Sequence, residues 1–207
     1  MCIRDRVEGS QASVIVGARS HEQAAGLARL WDPLTAVLRD LAARDQDVIV
    51  DAGRLGLEGS PTSLIDQADM TLLVARSGLP AIAGARSWSR ALTEGALPGH
   101  EVRVLLVGAG RPYKVAEIGR ALSAPVIGSI AWDPERAAVF SDGEPRPGPH
   151  GVRRMFASPN AADTAFASSA YQRSVRSTGE AIRAVVERLE RESISRGHPA
   201  PDSGGWP

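Results

Sequence analysis

The residues of this 207-residue chain best suited to chemistry stand where apolar runs end. Val48-Ile49-Val50 is followed by Asp51, Ala52 and Gly53. If the run is a strand, it holds the Asp51 carboxylate rigidly at the edge of a sheet. A carboxylate held there orients water on a Mg²⁺ ion bound to nucleotide phosphates, and the glycine lets the next loop approach those phosphates. The same residues read equally well as an aspartate that caps a turn. A second constellation is Val107-Gly108-Ala109-Gly110-Arg111-Pro112-Tyr113. A glycine pair between a strand and a helix lets backbone approach a ligand, but Tyr113 stands where a dinucleotide-binding loop would place a third glycine. About 20 residues on, where such a loop expects an acidic partner, Asp133 lies in the turn Trp132-Asp133-Pro134.

Other chemistries are excluded by residue count. Cys2 is the single cysteine, which rules out an intrachain disulfide and a cysteine-built metal site. His21, His100, His150 and His198 are scattered, and none is at ligand spacing from another. Lys114 is the only lysine. Basic and acidic residues balance at 24 each, so no general pull toward nucleic acid or anionic membrane is expected. No run reaches the roughly 18 apolar residues of a transmembrane helix. The opening Met1-Cys2-Ile3-Arg4-Asp5-Arg6 has no apolar stretch of the signal-peptide kind and reads as a non-native or disordered start, so a cytoplasmic protein is expected.

The elements that must position these residues follow from hydrophobic patterning. Five short, β-branched-rich runs read as strands buried on both faces: residues 13–17, 47–51, 71–75, 102–107 and 125–130. Helical spacing fills the intervals at 22–43 (interrupted by Pro33), 80–92 and 115–122. Strand and helix alternate, which predicts an α/β fold with a mostly parallel, doubly wound sheet and helices on both faces. Val14, Val48, Ile49, Val50, Leu72, Leu73, Val104, Leu105, Val126 and Ile127 are the expected core. The Pro/Gly-rich stretch 143–151 breaks the pattern. A polar helix over about 163–196 follows, with Ile182, Val185, Val186 and Leu189 as an apolar stripe that packs on the sheet rather than on a membrane. The expected organisation is a start at 1–12, one domain over 13–196 and a disordered tail at 197–207. In open α/β sheets ligands bind beyond the carboxyl ends of the strands. Asp51, Gly53, Gly110 and Asp133 are therefore expected along one sheet edge.

The order of segments, from about Val14 to Val186, resembles the ParA/MinD-type (SIMIBI class) P-loop ATPases. Residues 47–56 (DVIVDAGRLG) resemble that family's Walker B strand and switch II, and 68–74 (ADMTLLV) its next strand. Residues 124–134 (APVIGSIAWDP) are similar to the stretch bordering the nucleotide base, and 137–143 (AAVFSDG) to the helix end after it. The family commonly has Asn at the place held here by Gly110-Arg111. The resemblance implies nucleotide-binding roles for Asp51, Gly53, Gly110, Arg111, Asp133 and Pro134, and a metal role for Asp51. It implies ATP and Mg²⁺ as cofactors of the intact protein, with none expected to bind tightly to this chain by itself, a homodimer around nucleotide, and protein partners in partitioning or cell division; DNA or membrane contact stays open. No Gly-Lys-Thr/Ser loop occurs in the 207 residues, so the chain is read as a C-terminal portion without the Walker A loop, inactive by itself. Two alternatives remain open: a non-catalytic interaction module on the same fold, and a nicotinamide dinucleotide-binding oxidoreductase using the Gly108-Ala109-Gly110 loop.

Overall fold

The structure is a computed structural model that describes residues 4–6, 12–17, 23, 26–41, 44, 46–57, 59–110, 112–148 and 160–195. Arg111, the residues from 197 onward, and Arg153 and Arg154 lie outside the described residues. The chain divides into two compact units, one within Met1–Gln67 and one within Ala68–Asp202.

In the first unit, β1 (Arg4–Arg6) pairs antiparallel with β2 (Ser13–Ile15). Helix α1 (Trp31–Arg39) follows a short 3-10 turn over Ala28–Leu30. Pro33 explains the break in the expected 22–43 helix: without an N–H it fits the first turn of a helix and not its interior. Thr35 is the buried residue of α1, and its hydroxyl donates to the Trp31 carbonyl at 2.6 Å. The Trp31 indole donates to the Gly59 carbonyl at 3.0 Å, which ties α1 to the turn ahead of α2 (Thr62–Asp66).

The second unit holds a parallel sheet of β3 (Met70–Arg76), β4 (Glu101–Val107) and β5 (Val126–Ile130), in that order. Helix α3 (Leu79–Glu94) and helix α4 (Val115–Ala121) are the crossovers. Val102, Val104 and Leu106 alternate along β4 and pack with Ala75, Ile82, Ala85 and Ile118 in one cluster. Leu105 points to the opposite face by the period-two rule.

Between β4 and β5 the register slips: Val104 pairs with Val126, but Leu105 pairs with Gly128. Ile127 is thus an extra residue, a bulge that turns successive β5 side chains to different faces. Val126 meets α4, where a Cβ at Gly119 would lie 3.6 Å from its Cγ2. Gly128 meets the long helix α7 (Ala170–Ser195), which packs on β5. Helices therefore cover both faces, as expected of a doubly wound sheet. The helix expected over 163–196 is split into α6 (Ala161–Ala167) and α7. Ser169 makes the split: its hydroxyl accepts from the Gln172 N–H at 3.1 Å, the geometry of an N-cap. Leu189 of the predicted stripe is buried against the unit. Among the described residues no helix is long and apolar enough to cross a membrane.

Two of the five expected strands are corrected. Residues 13–17 give only the short antiparallel β2, and residues 47–51 pair with no strand among the described residues. Val14, Val48 and Val50 are exposed, and Ile49 is 96% exposed. Apolar β-branched composition favours an extended backbone, but burial comes only when ladder partners and covering helices are present. Val104 and Leu105 are buried as expected, while Leu72, Leu73, Val126 and Ile127 are half-buried.

Candidate functional site

The three parallel strands release their loops at one edge of the second unit, and these loops interlock. Ser77, just past β3, is buried, and its hydroxyl donates to the Gly108 carbonyl at 2.7 Å. The Gly108 N–H in turn donates to the Ile130 carbonyl at 2.8 Å. Gly108 has φ +74, and a Cβ there would lie 3.2 Å from the Cβ of Trp132. Glycine is thus required at 108 by both backbone conformation and close approach. Gly110, at φ +106, closes the next turn by donating to the Tyr113 carbonyl at 3.0 Å. Helix α4 then starts at Val115, with the Lys114 N–H donating to Glu117 Oε2 at 2.7 Å.

On the neighbouring loop, Asp133 caps helix α5 (Pro134–Ser141) and Pro134 occupies its first turn. The Asp133 carboxylate accepts from the Arg136 N–H at 3.1 Å and pairs with the Arg136 guanidinium at 2.7 Å. Both carboxylate oxygens are thereby engaged within α5. Trp132 is 56% exposed, and the Arg76 guanidinium carbon sits 4.1 Å from the centroid of its ring. This is stacking distance for a cation–π pair. The edge thus offers an accessible indole face on a glycine floor, with an arginine resting on it.

Gly110, Asp133 and Pro134 therefore come together at one strand-end edge. Asp51 and Gly53 belong to the first unit, where the Asp51 carboxylate accepts from the Gly53 N–H at 2.9 Å and Gly53 has φ +69. That is a turn closed by an aspartate side chain. Among the described residues no group of three or more His, Cys, Asp or Glu side chains is placed to hold a metal ion. Arg76 and Ser77 are residues that motif reading does not single out. The signal available for them was positional: they end a strand parallel to the one that carries Gly108.

The solved structure of the septum site-determining protein MinD from Pyrococcus horikoshii OT3, complexed with Mg-ADP, matches this chain with a TM-score of 0.62. The match spans 90% of this chain and 70% of that one, at 14% sequence identity. The chain shares its fold with MinD. At that identity the likeness is one of fold, and no protein-family model and no curated protein matches the sequence. The MinD-like fold agrees with the α/β class and the mostly parallel sheet expected from the order of runs. In it, the interlocked loops of Gly108, Gly110 and Trp132 stand at the carboxyl ends of parallel strands, the edge at which open α/β sheets bind ligands.

Proposed function

We propose that this chain is a nucleotide-binding domain of a ParA/MinD-like positioning ATPase, and that its 207 residues alone bind nucleotide through the base but do not hydrolyse ATP. The observation that carries the reading is the exposed Trp132 face on the Gly108 floor, at the strand-end edge of a MinD-like fold. A planar base stacks on such a face in the place that Arg76 now takes. The sequence holds no Gly-Lys-Thr/Ser loop to meet the phosphates. A P-loop enzyme needs a lysine and a cradle of backbone N–H groups on the β- and γ-phosphates. The single lysine, Lys114, stands on the Gly110 turn beside the base-side loops. Asp51 is the residue to hold Mg²⁺-bound water, in a protein that works as a cytoplasmic homodimer with ATP and Mg²⁺.

Tryptophan fluorescence of the purified chain, titrated with ADP, tests the base contact. Saturable quenching is expected, weakened about tenfold in Trp132→Ala, as the loss of one base–aromatic stack predicts. A phosphate-release assay tests the rest: turnover above background that disappears in Asp51→Ala would sink the inactive-alone reading. The engaged carboxylates of Asp51 and Asp133 favour a second reading, an interaction module without nucleotide chemistry. Absence of any nucleotide-dependent quenching would select it.

A further inference from the structure

Arg76 and Trp132 meet because one glycine holds both. Arg76 ends β3, opposite Val107 of β4. The next residue, Ser77, is buried and tied to the Gly108 carbonyl, which fixes the chain just past Arg76. From the other side, Trp132 packs its Cβ against Gly108, where a side chain would have no room. The Arg76 guanidinium is thereby set on the indole ring, its carbon 4.1 Å from the centroid.

The contacts of Arg76 differ from those of its neighbours in kind. Arg90, Arg103, Arg136, Arg146 and Arg188 each pair with a carboxylate. Among the described residues Arg76 has neither an ion pair nor a hydrogen bond, and its partner is the face of Trp132. Asp133, the acid beside Trp132, already gives both carboxylate oxygens to Arg136. Stacking uses the flat face of the guanidinium, so the five N–H donors around its rim are left to water. Arg76 is exposed and keeps them available.

A cation on an aromatic face occupies that face as a ligand does. A neutral planar ring gains a stack on Trp132 only by giving up the contact of Arg76 with the indole. A planar ring that carries an anion does better. The displaced guanidinium meets the anion with parallel charge-assisted hydrogen bonds, which are stronger than the exposed cation–π contact they replace. With Asp133 engaged by Arg136, that anion has no rival carboxylate on the adjoining loop.

Resting on the base-stacking reading of this edge, we infer that Arg76 is its specificity-determining residue: it closes the indole to neutral planar rings and yields it to planar ligands that bring their own anion, a nucleotide rather than a nucleoside. Arg76 thus acts twice, first as the occupant that must leave and then as the partner of the phosphate.

The test titrates adenosine and ADP into the full 207-residue chain without divalent cations. The readout is the Trp132 indole N–H resonance, identified by its disappearance in Trp132→Ala. In the free chain the Arg76 side-chain protons should lie upfield through the indole ring current, and ADP should return them to their ordinary positions. Arg76→Ala should bind adenosine about two- to fivefold more tightly, the release of an exposed cation–π contact. The same variant should bind ADP about fivefold or more weakly, the loss of a charge-assisted contact. Arg76→Gln keeps most of the length without the charge; it should behave alike and carries the test if the alanine variant does not fold. Opposite changes for the two probes are the signature, since a residue that merely walls the site would weaken both. Arg76 protons at ordinary positions in the free chain, or adenosine and ADP affinities that stay unchanged or fall together, would overturn the inference while wild-type binding leaves the base-stacking reading in place. Failure of wild type and variants alike to bind either probe would end both.

Discussion

Residues 47–51 and residues 102–107 are both short apolar runs that read as buried strands, and the structure treats them in opposite ways. Val104 and Leu106 have no exposed surface, while Ile49 is 96% exposed. Both runs are short and rich in β-branched or aliphatic residues. The difference lies in their surroundings. Strand β4 has a parallel neighbour on each side and helices on each face, so its backbone groups are paired and its side chains leave water. Residues 47–51 have no ladder partner among the described residues. An apolar run is thus a demand for partners, and burial follows only where the fold supplies them.

The largest effect that sharpens this contrast is expected at the centre of β4. Leu106→Ala removes a fully buried side chain and should cost about 2–5 kcal/mol in urea unfolding. A loss below about 1 kcal/mol would mean that the cluster around Ile82 and Ile118 is not the core of the second unit. Next comes Gly108→Ala, which forces a Cβ into positive φ and to 3.2 Å from Trp132. It should cost about 1–3 kcal/mol and shift the Trp132 fluorescence, since the indole must move to admit the methyl.

A smaller effect is expected from acid. Glu101, at the start of β4, is bridged by Arg188 of α7 and by Arg103 at 2.7 Å. Partial burial pushes its carboxyl up, but the hydrogen bonds from Arg188 and Arg103 outweigh this and hold it below the ordinary glutamate value. A carboxyl depressed in the folded state stabilises above its unfolded value, near pH 4.3, and this stabilisation is lost as pH falls through the lower folded value. Glu101→Gln should therefore flatten the acid limb of the stability–pH curve below about pH 4.3 and leave its shape at neutral pH unchanged. An unaltered acid limb would show that the Arg188 bridge is not formed in solution.

The smallest effect is expected at Ile49. Ile49→Ala should change stability by no more than about 0.5 kcal/mol, because the side chain is already in water. A loss of about 2 kcal/mol or more would break the comparison, showing that residues 47–51 are packed as a buried strand after all.

How much of the protein was legible in its sequence divides along the same line. The runs at 71–75, 102–107 and 125–130 alternate with helical spacing at 80–92 and 115–122, and local pattern alone led to the parallel sheet and its two crossover helices. The glycines at 108 and 110 and the turn at Trp132-Asp133-Pro134 were readable for the same reason: each answers to backbone geometry within a few residues. The Arg76 stack on Trp132, the Ser77 tie to Gly108, the Ile127 bulge and the packing of Thr178 on Gly128 were not. Each joins residues far apart in the chain, and no spacing rule connects Gly128 to Thr178. The sequence by itself determined which segments prefer strand or helix and where the backbone must turn, because those preferences are local. Only the tertiary structure decided which apolar runs find partners and leave water, and which side chains meet across the sheet, because burial and contact belong to the assembled fold and not to the run.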